Sequence, residues 1–238
     1  VALPGPPREM WPMWRDHVRP RLAERGSGAE VASETLRCAG IGESALAELI
    51  GEEVLRRAEP EVATYARPDA VDVRVSAHGP GAEQRVAAAV DELLGRIGDH
   101  VFARGAETWP EVIRRLLGGR TLALVEAGSG GQLLALLGAA PYVVGGELVG
   151  PDEFDEHGPA GLAERVRSRA GADVGLAVRT TAGRADTRVD VAIATATGAV
   201  HEQTRTAFLA GPEGQRRAAL VAVTELWRWL STDNYAHG

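Results

Sequence analysis

The chain has 238 residues, 45% of them hydrophobic and 25% charged, which is the composition of ordinary globular domains. This length provides for one large domain or two modest ones, each with its own core. The formal net charge of −7 argues against a nucleic-acid partner, because phosphate affinity rests on a basic surface. The longest apolar runs fall short of the roughly 20 residues that span a bilayer, so a membrane partner is not expected either.

Two further features of the composition bear on location and chemistry. The single cysteine, Cys38, has no internal disulfide partner and is interpreted as a small half-buried residue. Since there is no secretory signal pattern, we expect a cytoplasmic protein. All 26 basic residues are arginine, which a GC-rich source explains. Whatever the reason for the missing lysine, it limits the chemistry of the chain. Arginine stays protonated, so no side-chain amine is available as a general base near pH 7.

The first of three predicted segments, residues 1–27, begins with a proline- and glycine-rich turn. A short amphipathic stretch follows and carries Trp11, Met13 and Trp14. A segment this short cannot build its own core, so we expect it to pack on a neighbouring domain as the end of something larger.

Residues 28–105 are predicted to form a small split β-α-β-β-α-β domain. Strands are expected at residues 31–37, 62–65, 71–75 and 101–102, and apolar residues at helical spacing mark helices at 46–55 and 86–97. The third strand alternates apolar and polar residues, which indicates that one face of its sheet is exposed.

Residues 106–238 are predicted to form a second, three-layer α/β domain. A capping box at Thr108 and Glu111 starts a helix that ends at Gly118. A buried strand at residues 121–125 leads into a glycine loop (residues 126–131) and then an apolar run at 133–137. Further strands are expected at 142–144, 174–178, 189–194 and 204–209, followed by a long helix from Pro212 to Leu230.

The glycine loop is the part of the sequence that most resembles a functional site. A loop between a buried strand and a helix N-terminus offers backbone N–H groups and a positive dipole end to an anion or an oxyanion. The same glycines are also compatible with nothing more than a tight strand-to-helix turn. Glu126 is either a ligand or cap acid or a solvated strand end, and Ser129 is a helix cap, a ligand hydroxyl or a replacement nucleophile.

No metal site or nucleic-acid site is predicted elsewhere. The six histidines show no pair at metal-ligand spacing. Residues 152–157 form an acidic cluster ending in His157, which we interpret as a solvated loop rather than a cation site. Gly40 and Gly42 lie in a turn where Glu43 stands at the place of a phosphate, and this is unfavourable for RNA.

Several motifs occur in the order found in the CinA (competence/damage-inducible) family. In the first part of the chain they lie at residues 3–10, 36–44, 63–68, 73–76, 98–102 and 107–108. The glycine loop, residues 172–178 and residues 208–229 resemble the C-terminal domain of the same family. The resemblance covers essentially the whole chain and is patchy beyond residue 131.

This resemblance implies three modules. Residues 1–27 would be the end of a molybdopterin-binding-like domain, residues 28–105 a KH-like connecting domain and residues 106–238 the CinA C-terminal domain. In active members the last domain is a nicotinamide-nucleotide amidase, an enzyme of NAD metabolism. The resemblance further implies a homodimer, a pyridine nucleotide as ligand and no cofactor.

The active loop of the family reads Glu-Ser-Cys-Thr-Gly-Gly, and this chain departs from it at the nucleophile. Glu126, Gly130 and Gly131 match, whereas Ala127 stands at the serine position. The segment that carries the family's activating lysine has no lysine here, and the segment after it is shortened. The residues that the resemblance assigns to ligand binding are Glu126, Gly128, Ser129, Gly130, Gly131, Thr180 and Arg216.

The sequence therefore predicts a catalytically inactive family member that serves as a nucleotide-binding or assembly module. The alternative is an active amidohydrolase in which Ser129, or a water held by Glu126, performs the attack. A third interpretation assigns catalysis to an N-terminal domain for which this chain is only the scaffold.

Overall fold

The computed structural model describes residues 2–24 and 31–236, and the chain divides into two compact units, residues 1–105 and 106–238. Both units are mixed α/β, as the sequence predicts. Among the described residues, no helix combines the length and the apolarity that a membrane crossing requires.

The N-terminal segment of the first unit is helical from Pro7 to Glu24. Helix α1 (Pro7–Met13) passes through a π-helical turn (Trp14–Val18) into α2 (Arg19–Glu24). The large apolar side chains expected to be buried are partly exposed, with Trp11 at 61% and Met13 at 43%. The last part of the predicted segment, residues 25–27, lies outside the described residues.

The rest of the first unit has the predicted β-α-β-β-α-β order. The strands and main helices are β1 (Val31–Cys38), α3 (Glu43–Ile50), β2 (Glu61–Ala66), β3 (Val71–His78), α5 (Ala82–Ile97) and β4 (Val101–Arg104). The four strands form an antiparallel sheet in the order β2-β3-β1-β4.

The predicted helix at residues 46–55 is in fact two helices. Gly51 has φ +90°, a conformation that glycine adopts without strain, and it separates α3 from the short α4 (Glu52–Leu55). The freed carbonyl of Ile50 accepts a hydrogen bond from Nη1 of Arg96 at 2.5 Å. Continuous apolar periodicity concealed this break.

The core of the first unit lies between the sheet and the helices α3 and α5. Cys38 belongs to it and is fully buried rather than half-buried. Burial raises the pKa of the Cys38 thiol to about 12, so the reactive thiolate does not form near neutral pH. This cysteine is a packing residue.

The elements of the second unit are α6 (Trp109–Leu117), β5 (Leu122–Ala127), α7 (Gln132–Leu137), β6 (Val143–Val149), α8 (Pro151–Ala170), β7 (Val174–Ala182), β8 (Asp186–Thr195), β9 (Val200–Phe208) and α9 (Gly211–Ala236). Its five-stranded sheet has the order β6-β5-β7-β8-β9, in which β6, β5 and β7 are parallel and β7, β8 and β9 antiparallel. Helix α8 packs on one face of the sheet, and α9 packs on the other together with α6 and α7.

The start of α6 confirms the predicted capping box. The carboxylate of Glu111 accepts the backbone N–H of Thr108 at 2.7 Å, and this bond lowers the pKa of Glu111. Trp109 at the first helical position is 1% exposed. The local sequence signal therefore set both where this helix begins and which face it buries.

Helix α8 contradicts the interpretation of residues 152–157 as a solvated loop. Pro151 lies in the first turn with Asp152 and Glu153, an arrangement that favours a helix N-terminus. Gly158 has φ 69° and ψ 165°, which breaks the helix in its middle. The charged residues and the Gly-Pro pair masked the helical pattern in the sequence. No group of metal-ligating side chains occurs among the residues the structure describes.

Candidate functional site

The glycine loop lies where three parallel strands end together. In register, Ala127 of β5 pairs with Val149 of β6 on one side and with Arg179 of β7 on the other. The carboxyl ends of parallel strands are where open α/β sheets bind their ligands. This edge of the sheet is therefore the place where the second unit would be expected to act.

Three glycines give the loop its shape. Gly128, Gly130 and Gly131 have φ values of +76°, +67° and +79°, which side chains other than glycine rarely adopt. A Cβ atom on Gly128 would also collide with the backbone carbonyl of Thr180. The loop thus approaches β7 closely because residue 128 has no side chain.

Glu126 is fully buried, and the structure gives its carboxylate the role of a helix cap. Oε2 accepts the hydroxyl of Ser129 at 2.6 Å and the backbone N–H of Leu133 at 3.0 Å. Oε1 accepts the N–H of Leu134 at 2.7 Å. Of the two alternatives for Glu126, a solvated strand end is wrong, since its exposure is 0%.

The same contacts take up two of the backbone N–H groups that the loop and the start of α7 were expected to offer to an anion. The N–H groups of Leu133 and Leu134 are already bonded to the Glu126 carboxylate. An anion placed at these two N–H groups would approach that carboxylate closely, and like charges in a buried site repel strongly. Helix α7 therefore uses an internal acid in place of an external anion.

Ser129 faces inward with Glu126. Its side chain is 1% exposed, and its hydroxyl donates to Glu126. A serine nucleophile needs a base to take its proton and open space in which the carbonyl of a substrate can approach. Glu126 could act as the base, but its carboxylate already accepts two backbone N–H groups. The buried Ser129 side chain does not have the open space that a substrate carbonyl needs.

Ala127 points to the opposite face of the sheet, beneath α8. It is 1% exposed and belongs to an apolar cluster with Val125, Phe154 and Leu162. Because side chains alternate along a strand, adjacent Glu126 and Ala127 have separate surroundings. The position that the sequence aligns with the family's nucleophile therefore lies in an apolar layer.

Beside Ala127, the α8 face becomes charged. Arg179 lies 5.7 Å over the ring of Phe154 and donates to both carboxylate oxygens of Asp155. Arg179 was not singled out in the sequence, and Phe154 and Asp155 were noted only as part of the acidic cluster at residues 152–157. The only available signal was the Pro151 helix start, which would have placed Phe154 and Asp155 on a helix above the sheet.

The remaining predicted site residues fall into two groups. The backbone of Thr180 lies against Gly128, so these two are brought together. Arg216 is exposed on α9 and forms an ion pair with Glu213, and no described contact joins it to the loop. Its neighbour Gln215, which was not predicted, donates to the carbonyl of Gly128 at 2.8 Å.

The fold and site define a two-domain α/β protein, in which a small KH-type domain precedes a three-layer domain with a glycine loop at the carboxyl edge of its parallel strands. The family profile described as "Damage-inducible protein CinA KH domain" matches residues 33–103. A CinA-like protein of Deinococcus deserti is 38% identical over 226 residues, which is 84% of this chain and 56% of that protein.

A CinA-like protein of Deinococcus radiodurans is 44% identical over 144 residues, covering 59% of this chain and 35% of that protein. The chain belongs to the CinA family. It spans about half the length, or less, of these two curated relatives.

Among solved structures, the competence/damage inducible protein CihA of Agrobacterium tumefaciens is similar at 17% identity and a TM-score of 0.40. The match covers 53% of this chain and 95% of that one. The family assignment rests on the sequence matches and not on this structural likeness.

Proposed function

We propose that the second unit is a catalytically inactive form of the amidase-like CinA domain that serves as a binding or assembly module. The observation that supports this most directly is the environment of Ala127. The position of the family's nucleophile holds a methyl group that is 1% exposed and packed among apolar side chains. The loop remains as a scaffold around a reaction that its residues no longer perform.

The chemistry fails at two independent points. An alanine has no hydroxyl to attack an amide, and a serine placed there would still need a base. The family's base is a lysine, and none occurs among the 238 residues. Arg179, the charged residue in register with Ala127, is bound to Asp155 and stays protonated, so it does not replace the lysine.

The alternative is an amidohydrolase built on Ser129 and Glu126. The two side chains form the hydrogen bond that a nucleophile and its base require, but they lie where a substrate cannot reach them. Both side chains are buried, at 1% and 0% exposure. Glu126 also holds the first turn of α7 through two backbone N–H groups, so accepting a proton from Ser129 would weaken those bonds. We therefore favour a structural role for this pair.

The proposed ligand at this edge of the sheet is a pyridine nucleotide, bound without a cofactor. Within this proposal Glu126 and Ser129 shape the loop together with Gly128 and Thr180. Contact with the ligand then falls to Arg216 and to the backbone of Gly130 and Gly131. We further propose that the protein acts as a homodimer in the cytoplasm.

The test is to incubate the protein with nicotinamide mononucleotide and to measure ammonia. We expect no release above a buffer control, and an active CinA-family amidase assayed in parallel shows that the conditions permit turnover. Ammonia release that is lost in Ser129→Ala or Glu126→Gln would establish the alternative. Titration calorimetry with the same nucleotide tests the binding proposal separately, and Arg216→Ala should weaken that binding.

A further inference from the structure

A cleft of about 380 Å³ opens on the α8 face of the second unit. Its floor contains a row of residues from neighbouring strands, because Arg179 pairs in register with Asp190, and Asp190 with Thr204. Its wall includes Phe154 of α8 and Gly158, where that helix is broken. The volume lies in the range typical of small-molecule pockets, roughly 300 to 1,000 Å³.

Both arginines of the cleft are neutralised by carboxylates of the same cleft. Arg179 binds both oxygens of Asp155. Arg188 donates from Nε to Oδ1 of Asp190 at 3.0 Å. An anionic ligand at either arginine would also meet the carboxylate paired with it, so the cleft is less favourable for a phosphate or a carboxylate than for a cation.

A third carboxylate, Glu202, gives the lining an excess of negative charge. Its Oε1 accepts the N–H of Ala160, just after the break in α8, at 3.1 Å. Within residues 31–236, Oε2 of Glu202 and Oδ2 of Asp190 receive no hydrogen bond, although Oδ1 of Asp190 accepts from both Arg188 and Thr204. Two acceptor oxygens thus remain for a bound molecule.

We propose that this cleft binds a small organic cation that carries amine or amidinium donors. Asp190 and Glu202 supply the acceptors, and the complementary charge favours a cation over a neutral or anionic molecule of equal shape. Pro159 in the wall, which is only partly buried, provides apolar contact for a flat ring or a methylene chain. The proposal goes beyond the nucleotide proposed above and uses no residue of the glycine loop, so it does not depend on the outcome of the ammonia measurement.

The first experiment compares benzamidine, benzamide and benzoate by titration calorimetry on the full chain. These three molecules have nearly the same shape and are respectively cationic, neutral and anionic. We expect benzamidine to bind tightest and benzoate weakest. Equal affinities, tighter binding of benzoate, or no heat with benzamidine at millimolar concentration would overturn the proposal.

The second experiment places the cation in the cleft. Glu202→Gln keeps an oxygen for the N–H of Ala160 while removing the charge, and Asp190→Asn does the same for Thr204. Each should weaken benzamidine binding by about tenfold, the effect of losing one charge-assisted hydrogen bond. Glu48→Gln, an exposed change in the other unit, should leave the affinity unchanged. Circular dichroism of each variant verifies the fold, and unchanged affinity in both cleft variants would refute the assignment.

Discussion

The two faces of strand β5 have different surroundings, although the residues that define them are adjacent in the chain. On one face Glu126 is polar, buried and bonded to Ser129 and the start of α7. On the other face Ala127 is apolar and packed beneath Phe154. The first arrangement holds the loop in place, and the second surrounds the position that we propose corresponds to the family's nucleophile.

If the domain is inactive as proposed, this difference explains how the loop keeps its form without a nucleophile. Removing a nucleophile at position 127 leaves no buried polar group without a partner, because the space is apolar. Removing Glu126 would leave three donors unsatisfied in the interior. We therefore expect position 126 to tolerate substitution less well than position 127.

The largest expected effect is that of Glu126→Ala. It deprives two backbone N–H groups and one hydroxyl of their acceptor, and each buried unsatisfied group costs about 1 to 3 kcal/mol. We expect the free energy of unfolding of the second unit, measured in urea, to fall by about 4 kcal/mol. Glu156→Ala, an exposed change in the same unit, is the control, and similar small losses in both variants would break the comparison.

The second largest effect is expected for Gly128→Ala. A positive φ disfavours alanine by about 1 kcal/mol, and the collision with the carbonyl of Thr180 adds to this cost. Gly118→Ala is the matched control, because Gly118 also has a positive φ but no neighbour within 4 Å of a Cβ atom. Urea unfolding should separate the two by about 2 kcal/mol, and equal losses would mean that the loop does not approach β7 as described.

A smaller effect is expected for Ala127→Ser. A hydroxyl in the apolar cluster costs about 1 to 2 kcal/mol unless it finds a partner. The variant should also remain inactive towards nicotinamide mononucleotide, since the chain has no lysine. Ala89→Ser on α5, at 5% exposure, is a control for alanine in another buried site. Ammonia release by Ala127→Ser would show that a base is present after all.

The smallest effect is expected for Ser129→Ala. One hydrogen bond to Glu126 is lost, but no buried donor remains unpaired, so the cost should be about 1 kcal/mol. Thermal unfolding followed by circular dichroism detects a change of this size. A destabilisation as large as that of Glu126→Ala would mean that Ser129, rather than the helix amides, is the main partner of the carboxylate.

Local signals in the sequence were sufficient for much of the fold. The capping box of α6 and the apolar strand before the glycine loop were predicted and are present, because both depend on neighbouring residues. Helix α8 was missed, since Gly158 and Pro159 interrupt it and its first turns are charged. The break in the first unit at Gly51 was missed because apolar spacing continues across it.

The site was less predictable than the fold. The sequence identified Glu126 and Ala127 but not that they face opposite layers in different surroundings. The exposure of Glu126 depends on α7 folding back onto it, and the surroundings of Ala127 depend on Phe154, which lies 27 residues further along the chain. Contacts of this kind arise from the tertiary fold and have no local signature.

A serine-reactive fluorophosphonate followed by intact-protein mass spectrometry tests the central claim most directly. If the loop is a scaffold without a nucleophile, the parent protein and Ala127→Ser both remain unmodified under conditions that label an active serine hydrolase. An adduct that maps to Ser129 in the parent protein would contradict this, because it would require an accessible and activated hydroxyl where the structure has a buried one bonded to Glu126.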